Sequence, residues 1–346
     1  MFLFRLFIFL FLLNIFSTAK SDSVTVSSDK NQSSDTSVQQ NIDTDDVTLT
    51  VSGNAQVDDD AKAVAVDSGV SGAAVIVESG STITTTSLDN GIIADNTTLL
   101  DVTNSGTISA NRHKAIDIYR STNSSITNNS GATISSAGNT IRTGGTSDDP
   151  STGYTITNSG KIFSTTTGNK SSVLFGNVNS SGGTITNNSG AEIYSGGNVA
   201  TIRVGGTTTI KNSGSIKNNT SVDDNVIELL GSNNTVILEE DSTLVGKISS
   251  ASGTSGNTLK LNLGAGQGYF YETSGDFTLE DLDGNQVVKG SAGSVGQGGS
   301  ETLDELLSYK SMNLRKFFSK YNKLNDKDVW GETYVSNLKR DVHTSN

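Results

Sequence analysis

The middle of the chain repeats one short pattern of apolar and polar positions. An apolar residue, an asparagine and a Ser-Gly step follow one another closely, and an isoleucine comes two or three places later. The clear copies are Val102–Ile108, Ile126–Ile134, Ile156–Ile162, Ile185–Ile193 and Ile210–Ile216. With weaker copies at Ser52-Gly53 and Ser79-Gly80, the glycines recur every 24 to 30 residues. A repeat of this period indicates one supersecondary unit stacked on copies of itself, which is a solenoid.

Each repeat carries three short β-prone segments that are separated by turn residues. In one repeat these segments are Ile126–Asn128, Ala132–Ser135 and Thr140–Arg142. Apolar and polar residues alternate within them, so every second side chain points inward. The pattern predicts an all-β fold over residues 45–265: a right-handed parallel β-helix of about eight rungs, where a rung is one turn of the coil.

The asparagine and the glycine of each repeat occupy matching positions at one corner of the predicted coil. We expect the asparagines to stack into a ladder and the glycines to form the turn, which is a structural role and not a binding role. The predicted corner residues are Asn104, Gly106, Asn129, Gly131, Asn158, Gly160, Asn188, Gly190, Asn212 and Gly214.

The start of the chain is typical of a secretory signal peptide. Arg5 is followed by Leu6–Phe16, a run that is apolar apart from Asn14, and by the small residues Ser17-Thr18-Ala19. A membrane anchor is the rival interpretation, but a spanning helix needs roughly 20 apolar residues and this run is shorter. We therefore expect a cleaved signal over residues 1–19 and a polar, flexible leader over residues 20–44.

After the solenoid, the sequence predicts a cap and a linker over residues 266–300. Phe277–Lys289 has the pattern of two strands around Asp283-Gly284-Asn285, a hairpin turn signal. A hairpin here would cover the open last rung, and the Gly/Ser-rich residues 290–300 would follow as a linker.

The pattern then changes to that of an amphipathic helix over residues 301–324. Thr302 and Glu305 form a capping box, and apolar residues recur at three- and four-residue spacing. The helix matches the thickness of a bilayer, but it could equally pack as a cap under the β-helix. Residues 325–346 include Val329–Leu338, whose length and alternation suit a membrane-spanning β-strand.

Composition changes the picture in three ways. Only 33% of residues are apolar and the net charge is −12, which favours disorder, but isoleucines in register argue against disorder between residues 45 and 265. Cysteine is absent, so no disulfide stabilises the exported chain. The acidic balance argues against nucleic acid as a partner.

The sequence shows no pattern that favours catalysis or metal binding. His113 and His343 are the two histidines, and without cysteine they give no zinc spacing. No Gly-x-Ser-x-Gly motif occurs. Calcium is conceivable at the acidic clusters, but they lack the calcium-loop order, so solvated loops are favoured. These clusters are Asp58–Asp60, Asp148-Asp149, Asp223-Asp224 and Glu239–Asp241. We expect no catalytic residue, cofactor or metal, and a protein that is not an enzyme.

The order of these parts resembles a type V autotransporter of Gram-negative bacteria. Such proteins have a signal peptide, a β-helix passenger, a capping junction, a linker helix and an outer-membrane β-barrel, and Trp330–Asp341 (WGETYVSNLKRD) resembles the opening of that barrel. The resemblance implies that the helix threads the barrel. Only this start follows the helix, which a split gene or an incomplete sequence would explain. We expect the missing barrel to be supplied separately, as a partner. The implied location is the outer membrane and cell surface, or the periplasm when no barrel is supplied.

The leading functional hypothesis is a non-catalytic exported surface protein, a rigid spacer or adhesin that contacts a host or environmental surface. A second hypothesis is a threonine-rich solenoid that binds polysaccharide or ice through a flat face, as Thr82–Thr84, Thr155–Thr157 and Thr184–Thr186 suggest. Their irregular spacing counts against it. A third, an exported hydrolase, would need carboxylates that converge on one strand face, where the rungs show mostly Thr, Ser and Arg.

Overall fold

A computed structural model of the chain describes residues 23–59, 62–86, 89–144, 150–165, 173–176, 178–197, 199–218, 224–264, 269–284, 286–288, 292–295 and 311. The predicted signal peptide (1–19), the predicted linker helix (301–324, apart from Ser311) and the predicted barrel start (325–346) lie outside the described residues.

The described residues form short β-strands almost throughout. In chain order they are β1 (Ser23–Val26), β2 (Lys30–Gln32), β3 (Gln39–Ile42), β4 (Thr48–Val51), β5 (Gln56–Asp59), β6 (Val64–Val66), β7 (Ala74–Val77), β8 (Thr82–Thr85), β9 (Ile92–Asp95), β10 (Asp101–Asn104), β11 (Thr107–Ala110), β12 (Ile116–Tyr119), β13 (Ser125–Asn128), β14 (Thr133–Ser136), β15 (Ile141–Thr143), β16 (Thr155–Asn158), β17 (Lys161–Ser164), β18 (Leu174–Gly176), β19 (Thr184–Asn187), β20 (Glu192–Ser195), β21 (Ile202–Val204), β22 (Thr209–Asn212), β23 (Ser215–Asn218), β24 (Asn225–Leu229), β25 (Thr235–Glu239), β26 (Thr243–Val245), β27 (Lys247–Ser250), β28 (Thr258–Asn262), β29 (Tyr269–Tyr271), β30 (Thr273–Ser274), β31 (Thr278–Asp281), β32 (Gln286–Val288) and β33 (Ala292–Val295).

Three parallel sheets run along one stack, and successive strands of the chain pass from one sheet to the next. Sheet A has the order β1-β3-β6-β9-β12-β15-β18-β21-β24-β27-β30, and sheet B has β2-β4-β7-β10-β13-β16-β19-β22-β25-β28-β31. Sheet C has eight strands, from β5 through β8, β11, β14, β17, β20 and β23 to β26. Eight rungs therefore supply a strand to all three sheets, and the protein is a parallel β-solenoid. This confirms the predicted all-β repeat and its approximate number of rungs.

The core consists of aliphatic columns that pass from rung to rung. In sheet C, Ile108 pairs with Ile134 and Ile134 pairs with Ile162, and all three side chains are buried. Most strands alternate buried and half-buried positions, as the period of two in the sequence requires. Since a single rung cannot cover its own isoleucines, each rung depends on its two neighbours for burial.

The solenoid begins earlier than predicted, because strands occupy the segment expected to be a flexible leader. β1 pairs in parallel with β3, and Val26 and Ile42 are buried in the core. The inward position at Gln40 is polar, which hides the alternation in the sequence. Its amide is satisfied inside the fold: Nε2 donates to the Val38 carbonyl at 2.6 Å, and Oε1 accepts a hydrogen bond from Lys30.

The predicted hairpin of residues 277–289 is wrong in its pairing. β31 continues sheet B in parallel with β28, because Leu279 lies in register with the buried Leu259 and packs against the core. The two antiparallel pairs at this end are β32 with β33 and β33 with β29, so part of the predicted Gly/Ser linker is a strand. Gly284, with a φ of +78°, lies in the turn that leaves the parallel stack.

Candidate functional site

Five buried asparagines form a ladder at the corner between sheets B and C. The Nδ2 of each of the first four donates to the Oδ1 of the next at 2.8–2.9 Å. The Nδ2 of all five also donates to a carbonyl at the start of the following sheet C strand at 3.1–3.4 Å. The ladder residues are Asn104, Asn128, Asn158, Asn187 and Asn212. Because buried amides with these partners have no capacity left for a ligand, the ladder has a structural role.

The structure places three of the five predicted asparagines in the ladder. At the two rungs with consecutive asparagines, the ladder uses Asn128 and Asn187 instead of the predicted Asn129 and Asn188. The second asparagine lies outside the ladder, where its Nδ2 donates to a serine Oγ of the preceding rung at 2.8 Å. The prediction placed each asparagine two positions before the corner glycine. In the structure the ladder asparagine is the last residue of its strand, and the two additional residues of a longer corner lie between that asparagine and the next strand.

The predicted corner glycines are required for two different physical reasons. At Gly160 a Cβ atom would lie 2.3 Å from the Ala132 carbonyl oxygen, and Gly106 and Gly214 meet backbone equally closely. Gly131 and Gly190 belong to the longer corners, where space is open but φ is +81° and +77°. The short corners therefore exclude a side chain by contact and the longer corners by backbone conformation.

Only some of the residues considered for catalysis or metal binding lie in the part of the chain that the structure describes. His113 is exposed, whereas Asp60, Asp148, Asp149, Asp223 and His343 lie outside the described residues. Among the residues that the structure describes, no group of three or more His, Cys, Asp or Glu is placed to hold a metal ion.

Sheet A carries a buried ion pair on its outer side. Asp117 is 1% exposed, and both of its carboxylate oxygens accept hydrogen bonds from Arg142 on the next strand at 2.6 Å. Asn90 donates to the same carboxylate at 3.2 Å. Burial lowers the pKa of the nearby Lys114 ammonium, and the charge of Asp117 opposes that shift. Because the buried charge is fully paired, it links neighbouring rungs.

The outer face of sheet B presents hydroxyl groups in two columns. One column starts the strands with Ser125, Thr155, Thr184, Thr209, Thr235, Thr258 and Thr278. The other holds Thr103, Thr127, Thr157 and Thr186, and then continues as Lys211, Ile237 and Lys260. The predicted pairs Thr155–Thr157 and Thr184–Thr186 thus share one face. Thr82–Thr84 lies on sheet C instead.

The outer face of sheet C holds a stacked aromatic pair. Phe163 and Tyr194 are in register on adjacent strands, with ring centroids 4.8 Å apart and ring planes within 3°. Burial raises the pKa of Tyr194, and the adjacent Lys161 ammonium opposes that shift. We missed this pair in the sequence, although both rings directly follow the repeat isoleucine (Lys-Ile-Phe-Ser and Glu-Ile-Tyr-Ser).

A cleft of about 350 Å³, lined mainly by serine and threonine residues, opens on the same face beside the aromatic pair. The column that contains Phe163 continues through Ser135 and Ser109 to Thr84, and these three residues line the cleft. The other lining residues are Thr85, Thr86, Ala110, Asn111, Ser136 and Thr165. None of the nine carries a charge. The cleft thus offers hydroxyl and amide groups next to an aromatic ring, which suits recognition of a polar, uncharged ligand.

No protein family matches the sequence, and no curated protein or solved structure does either. The part of the chain that the structure describes contains no helix with the length and apolar character needed to cross a membrane.

Proposed function

We propose that this protein is an exported, non-catalytic surface protein that acts as a rigid spacer or adhesin, in the manner of an autotransporter passenger. The observation that carries the proposal is the unbroken stack of parallel strands. Eleven strands in sheet A at a spacing of about 4.8 Å make a rod roughly 50 Å long. Such a rod holds a polar surface at a fixed distance from its base.

Contacts between successive rungs support the rigidity of this rod. The asparagine ladder crosses five rungs, and the aliphatic columns cross all of them. Ion pairs on the outer faces, such as Lys260 with Glu280 at 3.0 Å, join neighbouring strands again. Each contact is local, but the same contacts recur along the stack and resist bending together.

The apolar segment Leu6–Phe16 supports export, and the resemblance of the chain's parts to an autotransporter supports the outer membrane or cell surface as the location. The proposal includes an outer-membrane β-barrel as the partner that carries residues 1–346 to the surface. It also includes a right-handed coil, the hand that parallel crossovers overwhelmingly take. Without the barrel, the chain stays in the periplasm.

Cell fractionation tests the export proposal. The full chain is expressed in a Gram-negative host, beside a variant in which Leu10→Arg and Leu12→Arg interrupt the apolar segment, and surface protease treatment is compared with periplasmic extraction. We expect the unmodified chain in the periplasm and the variant in the cytoplasm. Equal cytoplasmic retention of both chains would contradict export, and protease-accessible display without a barrel would contradict the partner.

A second candidate function is binding of ice or an ordered polysaccharide by the threonine face of sheet B. The two hydroxyl columns support it, because their members repeat at about 4.8 Å along the rod. The array is narrow, since Lys211 replaces threonine in the second column and pairs with Glu239 at 3.0 Å. Thermal hysteresis of the purified chain, compared with a Thr157→Lys variant, tests this candidate, and freezing behaviour equal to that of a control protein would reject ice binding.

A further inference from the structure

We propose that the outer face of sheet C is a binding site for a neutral polysaccharide, with the ring of Phe163 as its platform and the adjoining cleft as its source of hydrogen bonds. This inference deepens the adhesin part of the proposed function and rests on it.

The platform follows from the stacking geometry. The Tyr194 ring, on β20, covers one face of the Phe163 ring. The opposite face is directed toward β14, the strand on the other side of Phe163, where Ser135 is the residue in register. A serine is too small to cover an aromatic ring. The open ring face carries partial negative charge, which attracts the weakly positive C–H groups on one side of a sugar ring.

The cleft places polar groups where the edges of such a sugar would lie. From Phe163 to Thr84 the column crosses four adjacent strands, a distance of about 14 Å, which is long enough for a short oligosaccharide. Within the described residues, the Ser135 hydroxyl has no hydrogen-bond partner. The Ser109 hydroxyl donates to the Thr84 hydroxyl at 2.9 Å. The Asn111 Nδ2 donates to the Thr86 carbonyl at 3.0 Å, so the Asn111 Oδ1 remains as an acceptor for a ligand.

The backbone beneath the platform is held in place before any ligand arrives. The buried Thr140 hydroxyl donates to the Phe163 carbonyl at 2.8 Å. Thr165, two residues later, is joined to the Ser136 carbonyl by its backbone N–H at 2.8 Å. Because hydrogen bonds hold the backbone of the site in place, little conformational entropy is lost when a ligand binds.

Charge selects against acidic ligands. The cleft lining is uncharged, and beside the aromatic pair the Lys161 ammonium is paired with Glu192 at 3.5 Å. Lys217 is in register with Tyr194, on the side of the aromatic pair away from the cleft. The whole chain carries a net charge of −12. An anionic polysaccharide would therefore be repelled at long range and would find no cation in the cleft.

Calorimetric titration of the full-length chain tests the inference. The probes are cellohexaose, laminarihexaose, xylohexaose and mannohexaose, with an oligogalacturonate as the acidic comparison. We expect at least one neutral hexasaccharide to bind and the acidic one not to bind. Phe163→Ala weakens binding about tenfold or more, and Phe163→Trp retains it. Ser135→Glu weakens it to a similar extent, because bulk and charge then fill the cleft.

The controls separate a lost site from a lost fold. Tyr119→Ala removes an aromatic ring from sheet A and is expected to leave binding unchanged, and circular dichroism confirms that each variant retains its strands. If Phe163→Ala fails to fold, the half-buried Ser135→Glu variant carries the test.

Three outcomes overturn the site: no neutral hexasaccharide bound at millimolar concentration, unchanged affinity in both the Phe163→Ala and Ser135→Glu variants, or preference for the acidic probe. None of them affects the fractionation experiment. Export and glycan binding can therefore fail independently.

Discussion

Arg142 forms two hydrogen bonds of 2.6 Å with the carboxylate of Asp117, its partner in register one rung earlier in sheet A. Arg142→Ala leaves the carboxylate buried with a single neutral donor, Asn90. We expect a loss of about 3 kcal/mol in the free energy of unfolding, measured by urea denaturation. Lys161→Ala removes a pair at 3.5 Å that is largely exposed, and we expect a loss of at most about 1 kcal/mol. If the two variants lost the same free energy of unfolding, the stronger contribution assigned to the buried Asp117–Arg142 pair would be wrong.

The asparagine ladder predicts different outcomes for two neighbouring residues. Asn187→Ala removes the partner of one Asn158 N–H inside the core and leaves the Asn212 Oδ1 with only the Gly214 N–H at 3.2 Å, so we expect a loss of about 3 kcal/mol. Asn188→Ala removes one half-buried bond to Ser159, and a loss of about 1 kcal/mol or less is expected. Thermal melting of both variants distinguishes a ladder that passes through Asn187 from one that passes through Asn188.

The two kinds of corner glycine also predict different responses. Gly160→Ala places a methyl group against the Ala132 carbonyl, so the rungs must separate and the melting temperature falls sharply. At Gly131 space is open, and alanine costs only about 1–2 kcal/mol for its positive φ. Gly131→Asn should be milder still, because asparagine tolerates this conformation. A Gly131→Ala variant that is less stable than Gly160→Ala would contradict this assignment.

Tyr154 predicts a loss of stability in alkaline solution. Burial raises the pKa of its hydroxyl above the ordinary value of 10.0, and the hydrogen bond to Thr208 at 3.2 Å opposes part of that shift. Since the folded pKa is higher than the unfolded pKa, the contribution to stability is complete below about pH 10 and is lost as pH rises through the folded value.

The matched variant for this prediction is Tyr154→Phe. At pH 7 it should cost about 1 kcal/mol for the lost hydrogen bond. Between pH 9 and pH 11, values that bracket the ordinary tyrosine pKa, the wild-type melting temperature should fall more steeply than that of the variant. Parallel pH profiles for the two proteins would show that the pKa of Tyr154 is the same in the folded and unfolded states, which would contradict the prediction.

The repeat pattern was sufficient to predict the fold where each inward position is aliphatic. The column through Ile134 and Ile162 has this property. Every second residue of each strand points inward, and the same inward position is aliphatic in each successive rung. The pattern failed where an inward residue is polar, as at Gln40, because satisfied hydrogen bonds between distant residues are not visible in composition. It failed again at Leu279, where a turn signal nearby suggested a hairpin although the strand continues a column.

The candidate site was harder to predict than the fold. Phe163 and Tyr194 are 31 positions apart in the sequence, and only the pairing of β17 with β20 brings their rings together. The cleft depends on residues from four rungs, each unremarkable alone in a chain rich in serine and threonine. Local patterns describe a single rung, whereas a surface of this kind exists only across several.

The two corner lengths let neighbouring rungs differ in size without disturbing the core. Two residues join β10 to β11 and four join β13 to β14, yet Ile108 still faces Ile134. Residues can therefore be inserted at a corner without changing the register of the strands on either side. Duplication or loss of whole rungs can then change the length of the rod. Residues inserted at a corner change its surface, and in both cases the packing of the core stays the same.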